Sequence, residues 1–219
     1  MRLYLKLTKN TETIPFNYQP FLTGAIHKWI GDDNSVHNKI SLYSFSWLQN
    51  AKASNTGITL TKDSFFFISA FDESLIKKIL KGILNDPAVC FGVKVFDIQI
   101  AEDPKFSNKE NFWVASPIFI KRRLDNHEKH ITYDDPRSNL FLTETLQKKL
   151  KVIGLPSEGV QIAFDRDYPT PQTKIIKYKE IGNRVNLCPV IIEGSSEQIT
   201  FAWNVGIGNS TGIGFGALK

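Results

Sequence analysis

Two consecutive segments at the start of the chain decide the fold. Residues 2–8 read RLYLKLT, in which leucines alternate with polar or aromatic side chains, the period of a half-buried strand. Residues 20–30 read PFLTGAIHKWI, in which apolar side chains recur at the spacing of an amphipathic helix. Asn17 is a suitable cap for this helix, Pro20 fits its first turn, and Gly31 is a suitable stop. The pattern predicts a strand followed by a helix that covers one face of a sheet.

The remainder of the first half continues with the same two periods. Aromatic and β-branched runs predict strands within residues 40–49 and 58–70. Residues 72–84 place leucines and isoleucines on one helical face and lysines on the other, and residues 89–100 read as a closing strand. The order predicts a βαββαβ unit, the ferredoxin-like arrangement, over residues 1–104.

The second half follows a similar plan after a polar linker at residues 101–110. Its periods predict one helix and five strands: a helix at 138–152 and strands at 112–120, 160–164, 174–181, 184–192 and 199–205. A second helix is not visible, because the segment 165–173 contains prolines and cannot supply it. We therefore predict an α+β protein of two tandem ferredoxin-like domains, 1–104 and 111–219. The second domain is modified and ends in a glycine-rich loop.

Composition narrows the functional classes. The chain has 219 residues and is 42% hydrophobic, which is enough to bury a core. No apolar run reaches the roughly 18–20 residues of a membrane span, and the N-terminus lacks a secretory signal, so we expect a cytoplasmic protein without a membrane partner. Two cysteines, Cys90 and Cys188, are too few for a disulfide framework or a multi-cysteine zinc site and are predicted to be buried in strands. The net charge of +5 is compatible with nucleic-acid binding and with many plain enzymes.

The C-terminal segment 205–216 reads VGIGNSTGIGFG and is the most distinctive local feature. Glycines permit backbone conformations and close approaches that side chains forbid, and successive N–H groups can cradle phosphate oxygens. A nucleotide-binding loop would need a helix directly after the glycines, and only three residues follow, so this interpretation is disfavoured. Two alternatives stay open: a turn between strand ends, and a loop beside a groove that holds a nucleic-acid backbone.

Two histidines lie on the first helix and in the loop that follows it. His27 falls on the polar flank of the helix, and His37 lies in the loop with Lys39 close behind. RNA transesterification needs one group to take the 2′-hydroxyl proton, another to protonate the leaving 5′-oxygen, and a cation for the phosphorane charge. Imidazole suits both transfers because its pKa lies near the operating pH. The pair alone is also compatible with ordinary surface histidines.

Basic residues form three groups in the second half, namely Lys121-Arg122-Arg123, Lys148-Lys149-Lys151, and the set Lys174, Lys177, Lys179 and Arg184. The last set alternates with apolar residues in a predicted hairpin that can lie along a phosphate backbone. For this set and for residues 121–123, RNA binding and a solvated surface are equally favoured. The group at 148–151 is interpreted as an exposed helix face.

His127 and His130 have the i, i+3 spacing of a helical metal site. Their flanks, Asp125-Asn126 and Asp134-Asp135-Pro136, are typical of a solvated loop, and no further ligand cluster accompanies them. A solvated loop is therefore preferred over a metal site.

Four features in order resemble the CRISPR-associated endoribonucleases of the sixth Cas family, which belong to the repeat-associated RNA-binding superfamily. They are the basic N-terminal strand Met1–Leu7, the helix opening Asn17–Leu22, a histidine before the aromatic-serine strand Tyr43–Leu48, and the terminal glycines 206–216. The resemblance covers nearly the whole chain. It implies a tandem ferredoxin-like fold and metal-independent cleavage of precursor CRISPR RNA, without a cofactor, to a 2′,3′-cyclic phosphate and a 5′-hydroxyl.

The resemblance also implies roles for individual residues. His37 stands where similar members carry the general acid or base, His27 stands where they often carry another proton-transfer residue, and Lys39 is the nearest match to their lysine. We take His37 as the acid and His27 as the base, and the reverse assignment stays open. Charge would be stabilised by Lys39 and by N–H groups near Gly212–Gly214. The residues expected to contact RNA are Lys121, Arg122, Arg123, Lys174, Lys177, Lys179, Arg184, Gly206, Gly208, Gly212 and Gly214.

The implied partner is CRISPR repeat RNA, and other CRISPR-associated subunits and a second copy of the chain are left open. A non-catalytic RNA-binding subunit of a CRISPR effector complex is the alternative function, because it would share the fold and the glycine loop. A ferredoxin-like small-molecule enzyme is a third reading, and the pair His127 and His130 is its main support.

Overall fold

A computed structural model of the chain describes residues 1–31 and 40–219. Its N-terminal half forms a four-stranded antiparallel sheet with two helices, and a two-stranded hairpin is inserted before the third sheet strand. The elements are β1 (Arg2–Leu7), α1 (Gln19–Ile30), β2 (Tyr43–Phe45), β3 (Lys52–Ala53), β4 (Ile58–Thr59), β5 (Phe65–Ala70), α2 (Glu73–Asn85) and β6 (Val95–Ala101). The sheet order is β2-β5-β1-β6. This βαββαβ order, with the first strand central, is the ferredoxin-like arrangement predicted from the sequence.

The hydrophobic core of the N-terminal half contains the apolar faces predicted for β1 and α1. Every second residue of the central strand β1 is a leucine with at most 1% exposure, and the apolar face of α1 buries Leu22, Ile26 and Trp29. Helix α1 ends at Gly31 with φ of +87°, a conformation that costs a side-chain-bearing residue energy. The predicted cap at Asn17 is wrong, because Tyr18 occupies the cap position without a side-chain hydrogen bond.

The C-terminal half repeats the plan with two inserted hairpins. Its elements are β7 (Lys109–Phe112), β8 (Lys121–Leu124), β9 (His127–His130), α3 (Ser138–Val152), β10 (Gln161–Phe164), β11 (Gln172–Tyr178), β12 (Ile181–Leu187), β13 (Val190–Glu193) and α4 (Ser196–Val205). The sheet order is β10-β13-β7, and the C-terminal tail pairs with the chain beyond β7 through a bridge between Val114 and Leu218. The hairpins β8–β9 and β11–β12 are the modification of this unit.

The predicted strand at 199–205 is wrong, because these residues form helix α4. The prediction that the second unit lacks a second helix is therefore wrong as well. Apolar side chains at 199, 201, 203 and 205 alternate as in a strand, but Ile199, Ala202 and Val205 also share one helical face and are fully buried. Ser195 and Gln198 form a reciprocal capping box that starts the helix. Within the described residues, no helix combines the length and the apolar character needed to cross a membrane.

The side chain of Arg2 links the sheet of the N-terminal half to the C-terminal half. The guanidinium of Arg2 lies between the rings of Phe67 and Trp203, 3.8 and 3.5 Å from their centroids. It donates to Ser69 Oγ at 2.6 Å and to the carbonyl of Leu218 at 3.0 Å. Burial lowers the pKa of Arg2 to about 10, and these contacts compensate for the buried charge. Strand β1 is thereby held against α4 and the C-terminal tail.

Candidate active site

The glycine-rich segment 206–216 packs directly against strand β2 of the first unit. It contains a single 3₁₀ turn at Thr211–Ile213, and Gly214 leaves this turn with φ of +88°. A Cβ atom at Gly214 would stand 2.8 Å from the ring of Phe45, closer than real Cβ contacts. The glycine therefore permits both the backbone conformation and the close approach.

Two side chains of the first unit hold the far end of this segment. Gln19, at the start of α1, donates its amide to the carbonyl of Ile213 at 2.6 Å. Trp47 donates its indole N–H to the carbonyl of Gly214 at 2.7 Å. The turn is thus fixed between α1 and the residues that follow β2.

A histidine, a tyrosine and a loop carbonyl are hydrogen-bonded in series at this junction. The hydroxyl of Tyr43 donates to the carbonyl of Gly212 at 2.9 Å and lies 3.3 Å from Nε2 of the half-buried His27. Burial raises the pKa of Tyr43, so the phenol keeps its proton. Because that proton is directed to Gly212, the Tyr43 oxygen can accept a hydrogen bond from His27 Nε2 when that nitrogen carries a proton.

The interpretation of Lys149 as part of an exposed helix face is wrong. Lys149 is 4% exposed, and its ammonium nitrogen lies 3.1 Å from each of the Val205 carbonyl, the Gly206 carbonyl and Thr211 Oγ1. Burial lowers the pKa of Lys149 to about 7. Its neighbours Lys148 and Lys151 are exposed, as predicted. Lys149 therefore holds the glycine-rich segment to α3 through these hydrogen bonds.

A polar cavity of about 550 Å³ opens beside the same segment. One wall is the loop Gly208–Thr211 with Ile213, another is the α3 face, and a third is the chain entering β2. Its other lining residues are Ile40, Ser41, Arg122, Glu144, Thr145, Lys148 and Lys149. The hydroxyls, amide and cations on these walls are the donors that phosphate oxygens accept from.

The predicted catalytic residues divide between described and undescribed positions. His27 lies at the junction, whereas His37 and Lys39 fall outside the described residues. Ile40 and Ser41, which follow shortly after them in the chain, line the cavity. Of the N–H groups in 212–214, those of Ile213 and Gly214 donate to Ser210 and Thr211 to close the 3₁₀ turn. The N–H of Gly212 is not used in that turn.

The residues predicted to contact RNA differ in accessibility. Gly206, Gly208, Gly212 and Gly214 are buried, and the exposed tip of their segment is Ser210. In the hairpin β11–β12, Lys174, Lys177, Lys179 and Arg184 are all exposed. The registry pairs Ile175 with Arg184 and Lys177 with Gly182, so Lys177 and Arg184 share one face, and alternation places Lys174 on the other.

The cluster Lys121-Arg122-Arg123 is partly engaged within the protein. Lys121 pairs with Glu128 at 2.9 Å on the facing strand. Arg122 donates to the carbonyl of Phe141 and to Thr145 Oγ1 and lies 3.6 Å from Glu144. Arg123 is exposed.

His127 and His130 lie on strand β9 and not on a helix or a loop. The ring of His130 packs edge-on against Phe119, and its Nδ1 accepts a hydrogen bond from the backbone N–H of Arg184. His130 thus links the hairpin β8–β9 to the hairpin β11–β12. Among the described residues, no group of three or more histidine, cysteine or acidic side chains is placed to hold a metal ion.

Sequence reasoning missed Tyr43 and Lys149 as members of this junction. Lys149 carried a usable signal, because it lies three residues after Leu146 and seven after Leu142, on the buried side of α3. Tyr43 was seen only as a strand residue, and its partners Gly212 and His27 are far from each other in the chain.

Fold and site define a tandem ferredoxin-like protein whose glycine-rich C-terminal segment packs beside a histidine of its first helix. The family model described as the C-terminal part of the CRISPR-associated protein Cas6 matches residues 101–219, more than half of the chain. The chain therefore belongs to the Cas6 family.

Individual relatives match this chain over nearly their full lengths. The CRISPR-associated endoribonuclease Cas6 1 of Methanocaldococcus jannaschii is 27% identical over 233 aligned residues, which cover 100% of this chain and 92% of the relative. A solved structure described as CRISPR associated protein Cas6 superposes with a TM-score of 0.84 at 23% identity, covering 100% of this chain and 98% of the other. A structure described as a RAMP protein binding different RNA substrates gives 0.82 at 22% identity, with the same coverage. These structures have the tandem ferredoxin-like fold of this chain.

Proposed function

We propose that this Cas6 family member is an endoribonuclease that cleaves CRISPR repeat RNA without a metal ion to produce guide RNAs. In this proposal, residues 1–104 carry the proton-transfer histidines, and residues 111–219 carry the basic hairpin and the glycine-rich segment. The endoribonuclease name of the Methanocaldococcus jannaschii relative supports an RNA-cleaving role.

One observation carries the proposal: His27 is held against the glycine-rich segment through Tyr43. The ring is oriented by a buried phenol that is itself fixed on the Gly212 carbonyl. An oriented imidazole is what a general base requires, because proton transfer depends on geometry before pKa. An ordinary surface histidine has no need of such support.

The proposed reaction is an attack of the 2′-hydroxyl on its own 3′-phosphate. His27 accepts the 2′-hydroxyl proton, the 2′-oxygen bonds to phosphorus, and the bond from phosphorus to the 5′-oxygen breaks. His37 gives its proton to the leaving 5′-oxygen. The products are a 2′,3′-cyclic phosphate and a 5′-hydroxyl, and the two histidines exchange protonation states, so atoms and protons balance.

Charge that develops on the phosphorane needs donors aimed at it. Lys39 and the N–H of Gly212 are the proposed donors. The Gly212 N–H suits this role because the 3₁₀ turn employs its neighbours and not this group. The polar walls of the adjoining cavity would accommodate the flanking backbone.

RNA affinity is assigned mainly to the exposed hairpin β11–β12. Lys177 and Arg184 share a face that also carries Ile175, which is 62% exposed. Cations beside an exposed apolar side chain suit an RNA backbone with unstacked bases, because A-form duplexes hide their major groove. Lys121 and Arg122 contribute less in this proposal, since both already have acidic neighbours.

The test uses repeat RNA from the CRISPR array of the source organism, incubated with the protein in EDTA. We expect a single cut that yields a 2′,3′-cyclic phosphate, and we expect His37→Ala to lower the single-turnover rate by about 10²–10⁴-fold while RNA still binds. His127→Ala, on strand β9, is the matched control and should cut at the wild-type rate. Binding without cutting would favour the non-catalytic RNA-binding subunit. Undiminished cleavage by His37→Ala would remove His37 from the mechanism.

A further inference from the structure

The most unusual titratable group outside the proposed reaction is Lys149. It is buried beneath the glycine-rich segment at the base of the cavity, and its nitrogen has three partners at equal distance. Two of these partners, the carbonyls of Val205 and Gly206, only accept hydrogen bonds. The third, the hydroxyl of Thr211, can accept or donate.

This set of partners satisfies both protonation states of the amine. A charged ammonium donates three hydrogen bonds, one to each partner. A neutral amine donates two to the carbonyls, and its lone pair accepts the third from the Thr211 hydroxyl. The charge of Lys149 can therefore change while the heavy atoms stay in place, so the segment remains supported in either state.

The charged groups around Lys149 offer it no carboxylate within ion-pair distance among the described residues. On α3 the nearest acidic residue, Glu144, faces Arg122 of β8 at 3.6 Å, and Lys148 is a like charge on the same cavity wall. Helix α4 presents only the Val205 carbonyl, since Glu197 lies in its first turn. The segment 206–216 has no titratable side chain.

From strand β2 and helix α1 the titratable groups at the segment are Tyr43 and His27, since Lys28 of α1 pairs with Asp86 at 2.8 Å. Tyr43 stays neutral because burial raises its pKa. The Nε2 atom of His27 lies 3.3 Å from the Tyr43 hydroxyl. Among the described residues, the charge on Lys149 is therefore balanced by hydrogen-bond dipoles and not by an ion pair, and an anion entering the cavity would supply an opposite charge.

We infer that Lys149 takes up a proton when an RNA phosphate binds in the cavity beside the glycine-rich segment, so that RNA affinity is linked to pH through this one side chain. The inference rests on the proposed function for the identity of the anion. Lys149 acts in it as a positioning residue, because the Val205 carbonyl, the Gly206 carbonyl and Thr211 Oγ1 already occupy its three hydrogen-bonding positions.

The sign of the pH dependence follows from the two states. Burial lowers the pKa of Lys149 to about 7 in the free protein, and a nearby phosphate raises it in the complex. Below the pKa of the free protein, Lys149 is protonated both in the free protein and in the complex, so affinity does not change with pH. Between the pKa of the free protein and that of the complex, affinity falls by up to about tenfold per pH unit. Above the pKa of the complex, affinity is constant again and weaker.

The experiment measures the affinity for repeat RNA from pH 6.5 to 9. The RNA carries a 2′-deoxy nucleotide at the mapped cut position, so that it is not cleaved, or is unmodified where no cut is found. The wild type should lose affinity above pH 7, where histidines are already mostly neutral. Lys149→Met keeps a long unbranched side chain but removes the charge, and it should flatten the dependence of affinity on pH. Lys148→Met is the matched control on the same wall: it should weaken binding about equally at every pH and keep the slope.

Calorimetry on the wild type keeps the test independent of the variant's folding. Binding heats in two buffers of different ionisation enthalpy at pH 7.5 give the number of protons taken up, and we expect uptake of a fraction of a proton up to one. Zero uptake, or a Lys149→Met curve with the wild-type slope, would overturn the inference while leaving the nuclease proposal intact. Absence of RNA binding at every pH would overturn both.

Discussion

Replacement of Tyr43 by phenylalanine tests the central arrangement of the site. The change removes one oxygen atom from a side chain that is 1% exposed, so it leaves almost no cavity. It takes away the donor to the buried Gly212 carbonyl and the partner of His27 Nε2. Loss of a donor to a buried carbonyl costs about 1–3 kcal/mol, so the free energy of unfolding should fall by that amount in a urea titration.

The same change should slow cleavage by mispositioning His27. An effect of about 10–100-fold on the single-turnover rate corresponds to about 1.4–2.8 kcal/mol of transition-state stabilisation. RNA affinity should change little, because Tyr43 is buried and the change carries no charge. In a His27→Ala background the added Tyr43→Phe should slow cleavage less than about twofold while still lowering stability, because coupled residues are not additive.

Tyr18→Phe is the matched control for this prediction. Tyr18 is a buried tyrosine of the same region, and its oxygen accepts a hydrogen bond from the Leu48 N–H instead of supporting His27. It should reduce stability by about 1 kcal/mol and leave the cleavage rate unchanged. Equal rate losses for Tyr18→Phe and Tyr43→Phe, or a full Tyr43→Phe effect without His27, would refute the reasoning.

Two further predictions concern the glycine-rich segment and the basic hairpin. Gly214→Ala should lower the free energy of unfolding by about 2–3 kcal/mol, because it adds a close contact to an unfavourable φ, whereas Gly154→Ala, at φ of +75° with open space, should cost about 1 kcal/mol. Equal losses in urea titrations would show that the close packing against β2 is unimportant. The double variant Lys177→Gln/Arg184→Gln should reduce the salt slope of RNA binding by about 0.7–0.9 for each lost phosphate contact. Lys77→Gln, on α2, should leave that slope unchanged, and an unchanged slope in the hairpin variant would assign both hairpin cations to a solvated surface.

Long, strongly periodic segments were predictable from the sequence. The helix α3 has its predicted bounds, α1 begins one residue earlier than predicted and ends as predicted, and α2 is shifted by one residue. Strand bounds were less accurate: the predicted strand 184–192 is divided between β12 and β13. Helix α4 was mispredicted because its apolar residues satisfy periods of both 2 and 3.6, and only packing in the hydrophobic core of the C-terminal half selects between them.

The candidate site was predictable in part for a similar reason. His27 and the glycine-rich segment stand out as residue types, and their order supports the resemblance to the endoribonuclease family. The roles of Tyr43 and Lys149 were hidden, because Tyr43 reads as an ordinary strand residue and Lys149 lies in a run of lysines. The spacing of Lys149 from Leu142 and Leu146 indicates the buried side of the helix, but only the tertiary structure shows the burial that lowers its pKa to about 7.

By itself the sequence determined the alternation of strand and helix, the two ferredoxin-like units and the family, because hydrophobic period and glycine placement act over a few neighbouring residues. Only the tertiary structure decided which polar groups meet. The hydrogen bonds of His27 to Tyr43, of Tyr43 to Gly212 and of Lys149 to Thr211 join elements up to 169 residues apart. Such contacts depend on how the two halves of the chain pack against each other, and this packing produces no periodic pattern in the sequence.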